Sequence, residues 1–245
     1  MHPHRTAPGR VPQREKGSEV QSQLLTAAAI AGFSFALTSG STVATAEPAA
    51  LAATDAMEAV APQAVSSATP AIDQLHEGLL SVMMDSDEIG YEGRFDRLHT
   101  IVTNSFDLAF MAEKSVGRHW RKLSAVEQQR WLDSFHEMTA ATYAGRFEGF
   151  SGQSFKVLGE ESASHDTVVV RAILLNPDGD DVNLNYRLHE IDGTWKVIDV
   201  YLNGTVSELA LRRSEYSSVL KRDGFTKLIE TIDDKTQQLA TSALN

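Results

Sequence analysis

Beyond residue 46 the side chains able to bind a metal or move a proton include six histidines, His76, His99, His119, His136, His165 and His189. No two of them are spaced as H-x-x-x-H, H-E-x-x-H or H-x-H with a carboxylate nearby, the spacings that bring imidazoles to one helix or strand face for zinc. Asp178-Gly179-Asp180-Asp181 has the composition of a calcium loop, but the glycine at the sixth position and the closing glutamate are missing, and it reads as a hairpin turn. The chain has no cysteine, which removes thiolate metal sites, disulfides and cysteine nucleophiles together. Neither a G-x-S-x-G elbow nor a phosphate-binding or dinucleotide glycine loop is present. No catalytic residue, no metal site and no cofactor is therefore expected.

Asp199 is the exception to weigh. It is a carboxylate inside the most apolar stretch of the chain, where a charge is costly without a partner. It could act as the general base of a small cone-shaped pocket enzyme, or it could pair with Arg212 or Arg213. Pairing is the stronger reading, because no second acid or oxyanion donor lies near it in the sequence.

The elements that would position these groups are legible from period. From His165 to Leu175 the residues Val168, Val170, Ala172 and Leu174 share one face; from Val182 to His189, Val182, Leu184, Tyr186 and Leu188 do so. Such alternation marks half-buried strands. Trp195 to Leu202 is apolar on nearly both sides; strict alternation sets Trp195, Val197 and Tyr201 against Lys196, Ile198, Val200 and Leu202. Asn176-Pro177-Asp178-Gly179 and Asp192-Gly193 are turn sequences, so three strands form an antiparallel meander, with Ser154 to Gly159 a candidate fourth. Helical spacing appears at Ile72–Met84, is broken at Asp85 to Gly90, and resumes over Tyr91–Ala112. Ser124-Ala125-Val126-Glu127 is a capping box opening a further helix. After the sheet, Thr205 or Ser207 would cap a helix to about Lys221, Asp223-Gly224 would end it, and Phe225–Leu239 would form the last. Helices, a meander, then helices give an α+β fold: a small antiparallel sheet covered on one face by several helices, whose broad apolar stripes could line an apolar cavity.

Arg5, Arg10, Arg14 and Lys16, the apolar run Leu24–Leu37 and Ala44-Thr45-Ala46 have the order of a secretory signal peptide over 1–46. The apolar run is about 14 residues, short of the ~20 a spanning helix needs, and without an Arg-Arg pair the route is Sec-type. Residues 47–71, rich in Ala, Pro, Ser and Thr, read as a disordered linker, and 72–242 as the domain. The full chain carries 22 Lys+Arg against 33 Asp+Glu; removing 1–46 takes four basic and two acidic residues and leaves 18 against 31, a net −13. That charge argues against nucleic acid or an anionic membrane surface as the main partner.

Several ordered motifs resemble one family. Phe106-Asp107, Gly117-Arg118-His119-Trp120, Glu127-Gln128-Gln129-Arg130-Trp131 with Phe135, Tyr143, Tyr186, Trp195-Lys196-Val197-Ile198-Asp199-Val200 and Gly204 to Arg213 are similar in order to the MlaC-like periplasmic phospholipid-binding carriers. Gly204-Thr205-Val206-Ser207 has one more residue between glycine and serine than the common pattern, and with Arg212-Arg213-Ser214-Glu215-Tyr216 it resembles the hopanoid-associated HpnM branch. The resemblance implies a periplasmic carrier moving phospholipid or a hopanoid-type lipid between inner and outer membranes, meeting an inner-membrane lipid-transport complex and an outer-membrane lipoprotein or transporter. Phe106, Phe110, Trp131, Phe135, Val170, Leu184, Tyr186, Val197 and Val200 would line the cavity, with Arg212 and Arg213 at its mouth. The alternatives from other classes are the Asp199 enzyme and a cavity-free exported interaction module.

Overall fold

A computed structural model of the chain describes residues 67–242. The predicted signal peptide and the linker as far as Ser66 lie outside these residues. Four α-helices, α1 (Thr69–Met84), α2 (Ser86–Ser105), α3 (Leu108–Val116) and α4 (Ala125–Arg146), precede the strands β1 (Ser154–Ala163), β2 (Thr167–Leu175), β3 (Val182–Ile191), β4 (Thr194–Leu202) and β5 (Val206–Ser207). A 3-10 turn, Gly117–Lys122, joins α3 to α4, and α5 (Glu208–Ser242) closes the fold. The sheet is an antiparallel meander in the order β1-β2-β3-β4-β5, so the expected fourth strand is present and a short fifth is added.

Helix α1 begins three residues before the periodicity predicts. Glu160 on β1 reaches across and accepts from the Ala68 and Thr69 amides and from the Ser67 and Thr69 hydroxyls, satisfying amides that a helix start leaves open. Helix α4 begins where predicted: Ser124 Oγ accepts from the Glu127 amide and the Glu127 carboxylate accepts from the Ser124 amide. Gly224 interrupts α5 at φ +84°, the predicted end of one helix and start of the next.

Three expectations are corrected. The stretch Tyr91–Ala112 is not one helical region: α2 ends at Ser105, Phe106 is extended (φ −109°, ψ 148°), and Asp107 starts α3. His165 is not in a strand; it and Asp166 take positive φ (+61° and +54°) and form the turn between β1 and β2. The strict alternation of β4 also fails. Leu188 is paired with Val197 and Arg187 with Asp199, so Ile198 is an extra residue in a bulge. Beyond it the parity flips, and Val200 and Leu202 join Trp195 and Val197 on the inner face, opposite Tyr186 and Leu184.

The inner face of the sheet is Val168, Val170, Ala172 and Leu174 on β2, Val182, Leu184, Tyr186 and Leu188 on β3, and the β4 residues just named, all buried. Helices α1, α2, α3 and α5 contact the sheet, while α4 packs on α2, α3 and α5. The core thus lies between one sheet face and a layer of helices. No described helix is long and apolar enough to cross a membrane.

Candidate functional site

The break at Phe106-Asp107 ties the helical layer to the sheet. The Asp107 amide donates to the Val197 carbonyl (3.0 Å), and Phe106 forms a parallel bridge with Val197. One carboxylate oxygen of Asp107 accepts from the Phe110 amide (2.9 Å), capping α3, and the other meets Nε2 of His189 on β3 at 3.0 Å. Lys196 adds a bond to the Asn104 carbonyl at the end of α2. A cap and a half-buried charged hydrogen bond are each worth about 1 kcal/mol. Asp107→Ala should therefore lose about 2 kcal/mol in denaturant unfolding, and His189→Gln about half of that.

This clamp orients an aromatic cluster. The Phe106 ring meets Tyr143 edge-on at 5.7 Å, Trp131 lies 5.9 Å from Phe135 and 5.1 Å from Tyr216, and Trp131 Nε1 donates to the Ala112 carbonyl at 2.9 Å. Phe106, Trp131, Phe135, Val170, Leu184, Tyr186, Val197 and Val200 all fall in one continuous apolar cluster. Phe110, half-buried, packs at its edge with its ring on His189 (5.2 Å) and under the Lys114 ammonium (4.9 Å). Eight of the nine residues expected to line a cavity thus belong to one buried cluster, and the ninth, Phe110, packs against it.

The two arginines expected at a mouth diverge. Arg212 turns inward and donates to the Tyr216 hydroxyl at 3.0 Å, whereas Arg213 is exposed. Around Arg212 the helices bring together groups that sequence spacing does not show. Arg146, at the end of α4, is 3.9 Å from Glu208, at the start of α5, with side chains 16% and 13% exposed. Lys235 from the second half of α5 also senses Arg212, Arg146 and Glu208, and burial is the main cause pulling its ammonium below the ordinary lysine range. Burial pushes the Tyr143 phenol beside this cluster up to about 12. One oxygen of Glu208 is buried without a hydrogen-bond partner.

Asp199 is buried, but neither arginine is its partner, which corrects that expectation. Its carboxylate accepts from the Val200 and Leu209 amides (2.8 and 3.1 Å) and from the Ser207 hydroxyl (2.6 Å). Ser207 Oγ in turn accepts from the Ala210 amide, so the predicted Ser207 cap is present and Asp199 holds it. Among the described residues no three His, Asp or Glu side chains converge as a metal site would require.

Outside the apolar cluster a cleft of about 540 Å³ opens between the 3-10 turn and the first half of α5, lined by Arg118, His119, Arg213, Lys221 and three serines together with Ala210. The run Gly117 to Lys122 shows in the sequence as basic, but its apposition to α5 is a tertiary fact.

A sheet with helices on one face and an apolar interior flanked by partly buried cations, with the Asp199 carboxylate spent on capping, defines an α+β fold with its core between sheet and helices. The chain belongs to the MlaC protein family, whose sequence profile matches residues 73–234. Over 155 residues it is 26% identical to the intermembrane phospholipid transport system binding protein MlaC of Haemophilus influenzae, covering 60% of this chain and 70% of that one. The fold is similar to that of a phospholipid-binding protein from Ralstonia solanacearum solved in complex with a phospholipid, with TM-score 0.61 and 24% identity over 71% of this chain and 99% of the other.

Proposed function

We propose that this chain is a periplasmic carrier that holds the acyl chains of a membrane lipid between its sheet and helices and moves the lipid between inner and outer membranes. The observation that carries the reading is the convergence of Phe106, Phe110, Trp131, Phe135, Val170, Leu184, Tyr186, Val197 and Val200 on one apolar cluster, within a family whose relatives are named for phospholipid transport and binding. A carrier extracts a lipid only by covering most of its tails, since each buried methylene contributes about 0.8 kcal/mol. The apolar residues of this cluster are the ones able to do so. The Asp199 hydrogen bonds favour a carrier over a pocket enzyme, because both carboxylate oxygens already accept bonds from the chain's own backbone and Ser207. Docking to an inner-membrane transport complex and to an outer-membrane lipoprotein or transporter belongs to the same reading. Arg212, beside the aromatic cluster, is the inner of the two mouth arginines.

Native mass spectrometry of protein purified without detergent, followed by solvent extraction, tests this. One lipid per chain is expected. Its mass separates a glycerophospholipid from a hopanoid-type lipid, the two ligands between which the Gly204–Ser207 spacing leaves the choice open. In folded Leu184→Glu the bound lipid should fall at least about tenfold, because a carboxylate would then face the tails. A lipid-free mass that persists after incubation with vesicles would instead support a cavity-free interaction module.

A further inference from the structure

The cleft beside α5 is unlike the rest of the molecule. The chain carries a formal charge of −11, yet Arg118, Arg213 and Lys221 line this cleft and no carboxylate does. Among the described residues none of these three cations takes part in an ion pair, whereas nearby Arg222 is matched to Asp223. Of the remaining polar lining groups, Ser214, Ser217 and His119 supply hydroxyl and imidazole donors, while the Ser218 hydroxyl donates to the Ser214 carbonyl at 2.8 Å. Excess cations and donors around a concave space suit a compact oxyanion, which a guanidinium fork and hydroxyls can bind from several sides.

The backbone also prepares one of the cations. Gly117 has φ +53°, and a methyl group in place of its α-hydrogen would stand 3.0 Å from Nε and 3.1 Å from one terminal nitrogen of Arg213. A side chain at 117 would crowd the guanidinium and would have to take a backbone conformation that L residues rarely adopt, so glycine both makes the turn and leaves Arg213 room at the cleft wall. Arg212, one residue earlier, points to Tyr216 instead, which leaves Arg213 alone to face outward.

We propose that this cleft is a phosphate-binding site, formed by Arg118, Arg213 and Lys221 with the serine hydroxyls of α5, on the outer side of the helical layer. It is distinct from the apolar cluster and stands whether or not that cluster holds acyl chains. The phosphate can be that of a lipid headgroup presented by a membrane or a free phosphate. His119 reports on occupancy. Burial first, and then the charges of Arg118 and Lys122, hold its imidazole below the usual histidine range, and Arg213 and Lys221 face it across the cleft. A bound dianion would oppose those charges and raise it.

The test is to follow the His119 imidazole by NMR through a pH titration of the whole protein, with and without inorganic phosphate. A second arm uses vesicles of phosphatidylcholine containing phosphatidylglycerol. A saturable rise of the His119 midpoint by about half a pH unit or more is expected. Arg213→Gln should weaken the response about tenfold, since it removes the seated charge-assisted donor. Arg121→Gln, which removes the same charge from the same turn but outside the cleft lining, should leave it unchanged. A response to phosphate alone identifies a soluble phosphate as the source, and one to phosphatidylglycerol vesicles alone identifies a headgroup; either supports the site. Absence of response to both, or equal losses in the Arg213 and Arg121 variants, would overturn it. Native-mass lipid loading, read in parallel, reports separately on the carrier reading.

Discussion

Asp199→Ala is expected to lower the free energy of unfolding by about 3 kcal/mol, more than any other single polar replacement proposed for this chain. The carboxylate lies at the join of three elements: β4, on which it sits, β5, from which Ser207 reaches it, and α5, whose Leu209 amide it receives. Burial pushes the Asp199 carboxyl above its ordinary value, while the Ser207 hydroxyl and the Leu209 and Val200 amides pull it back. Truncation leaves those donors without an acceptor in a buried setting, at about 1–3 kcal/mol for each that water cannot reach. It also frees the start of α5, because Ser207, the cap that bonds the Ala210 amide, loses the group that orients it. Asn keeps one acceptor oxygen, and its amide can donate to a rotated Ser207 hydroxyl, so Asp199→Asn should cost about 1 kcal/mol. Urea unfolding monitored by tryptophan fluorescence measures both. A general base would show the opposite pattern, with full stability in Asp199→Asn and loss of a chemical activity.

How much of this was legible in the sequence depended on whether local pattern or tertiary closeness decided it. The β3 face was readable because polar and apolar residues alternate there, and in β2 Arg171 marks the outward parity, so Val170, Leu184 and Tyr186 are assigned inward. In β4 both faces are apolar, so alternation carries no parity information, and the bulge at Ile198 that brings Val197 and Val200 to the same side left no mark. The break at Phe106 was hidden for a related reason. Apolar spacing of three and four runs through it, and only Asp107, a favoured cap residue, hinted that one helix ends and another begins. Turns written with glycine were found, while the left-handed pair His165-Asp166, with no glycine or proline to mark it, was read as strand. Of the candidate site, period alone was enough to place Val170, Leu184 and Tyr186 on the buried face of the sheet. The Arg146, Glu208, Arg212 and Lys235 cluster was not legible, because its members come from α4 and two distant parts of α5.

His76 provides the other large effect, expressed in pH. It is a buried histidine on α1, stacked on Phe155 of β1 at 4.1 Å and joined through Nε2 to the Tyr186 hydroxyl of β3 at 3.1 Å. Burial pulls its imidazole down to about 4 from the model-compound value of 6.5. The unfolded chain therefore takes up a proton near pH 6.5 that the folded protein refuses until about pH 4. The stability linked to His76 is fully present above pH 6.5 and is lost progressively as pH falls to about 4, amounting to about 3 kcal/mol at 1.36 kcal/mol for each unit of difference. His76→Gln keeps a polar contact for Tyr186 and carries no proton, so it should cost stability at pH 7.5 yet show a flatter decline between pH 6.5 and 4. The difference between the two proteins' urea midpoints across that range isolates the histidine from carboxylates titrating in both. Parallel decline in the two would mean that the buried imidazole takes its proton without opening the fold. Because Tyr186 belongs to the proposed lipid-facing set, placing a charge on the buried His76 beside it should also loosen the apolar cluster, and lipid release below about pH 5 should follow the same histidine.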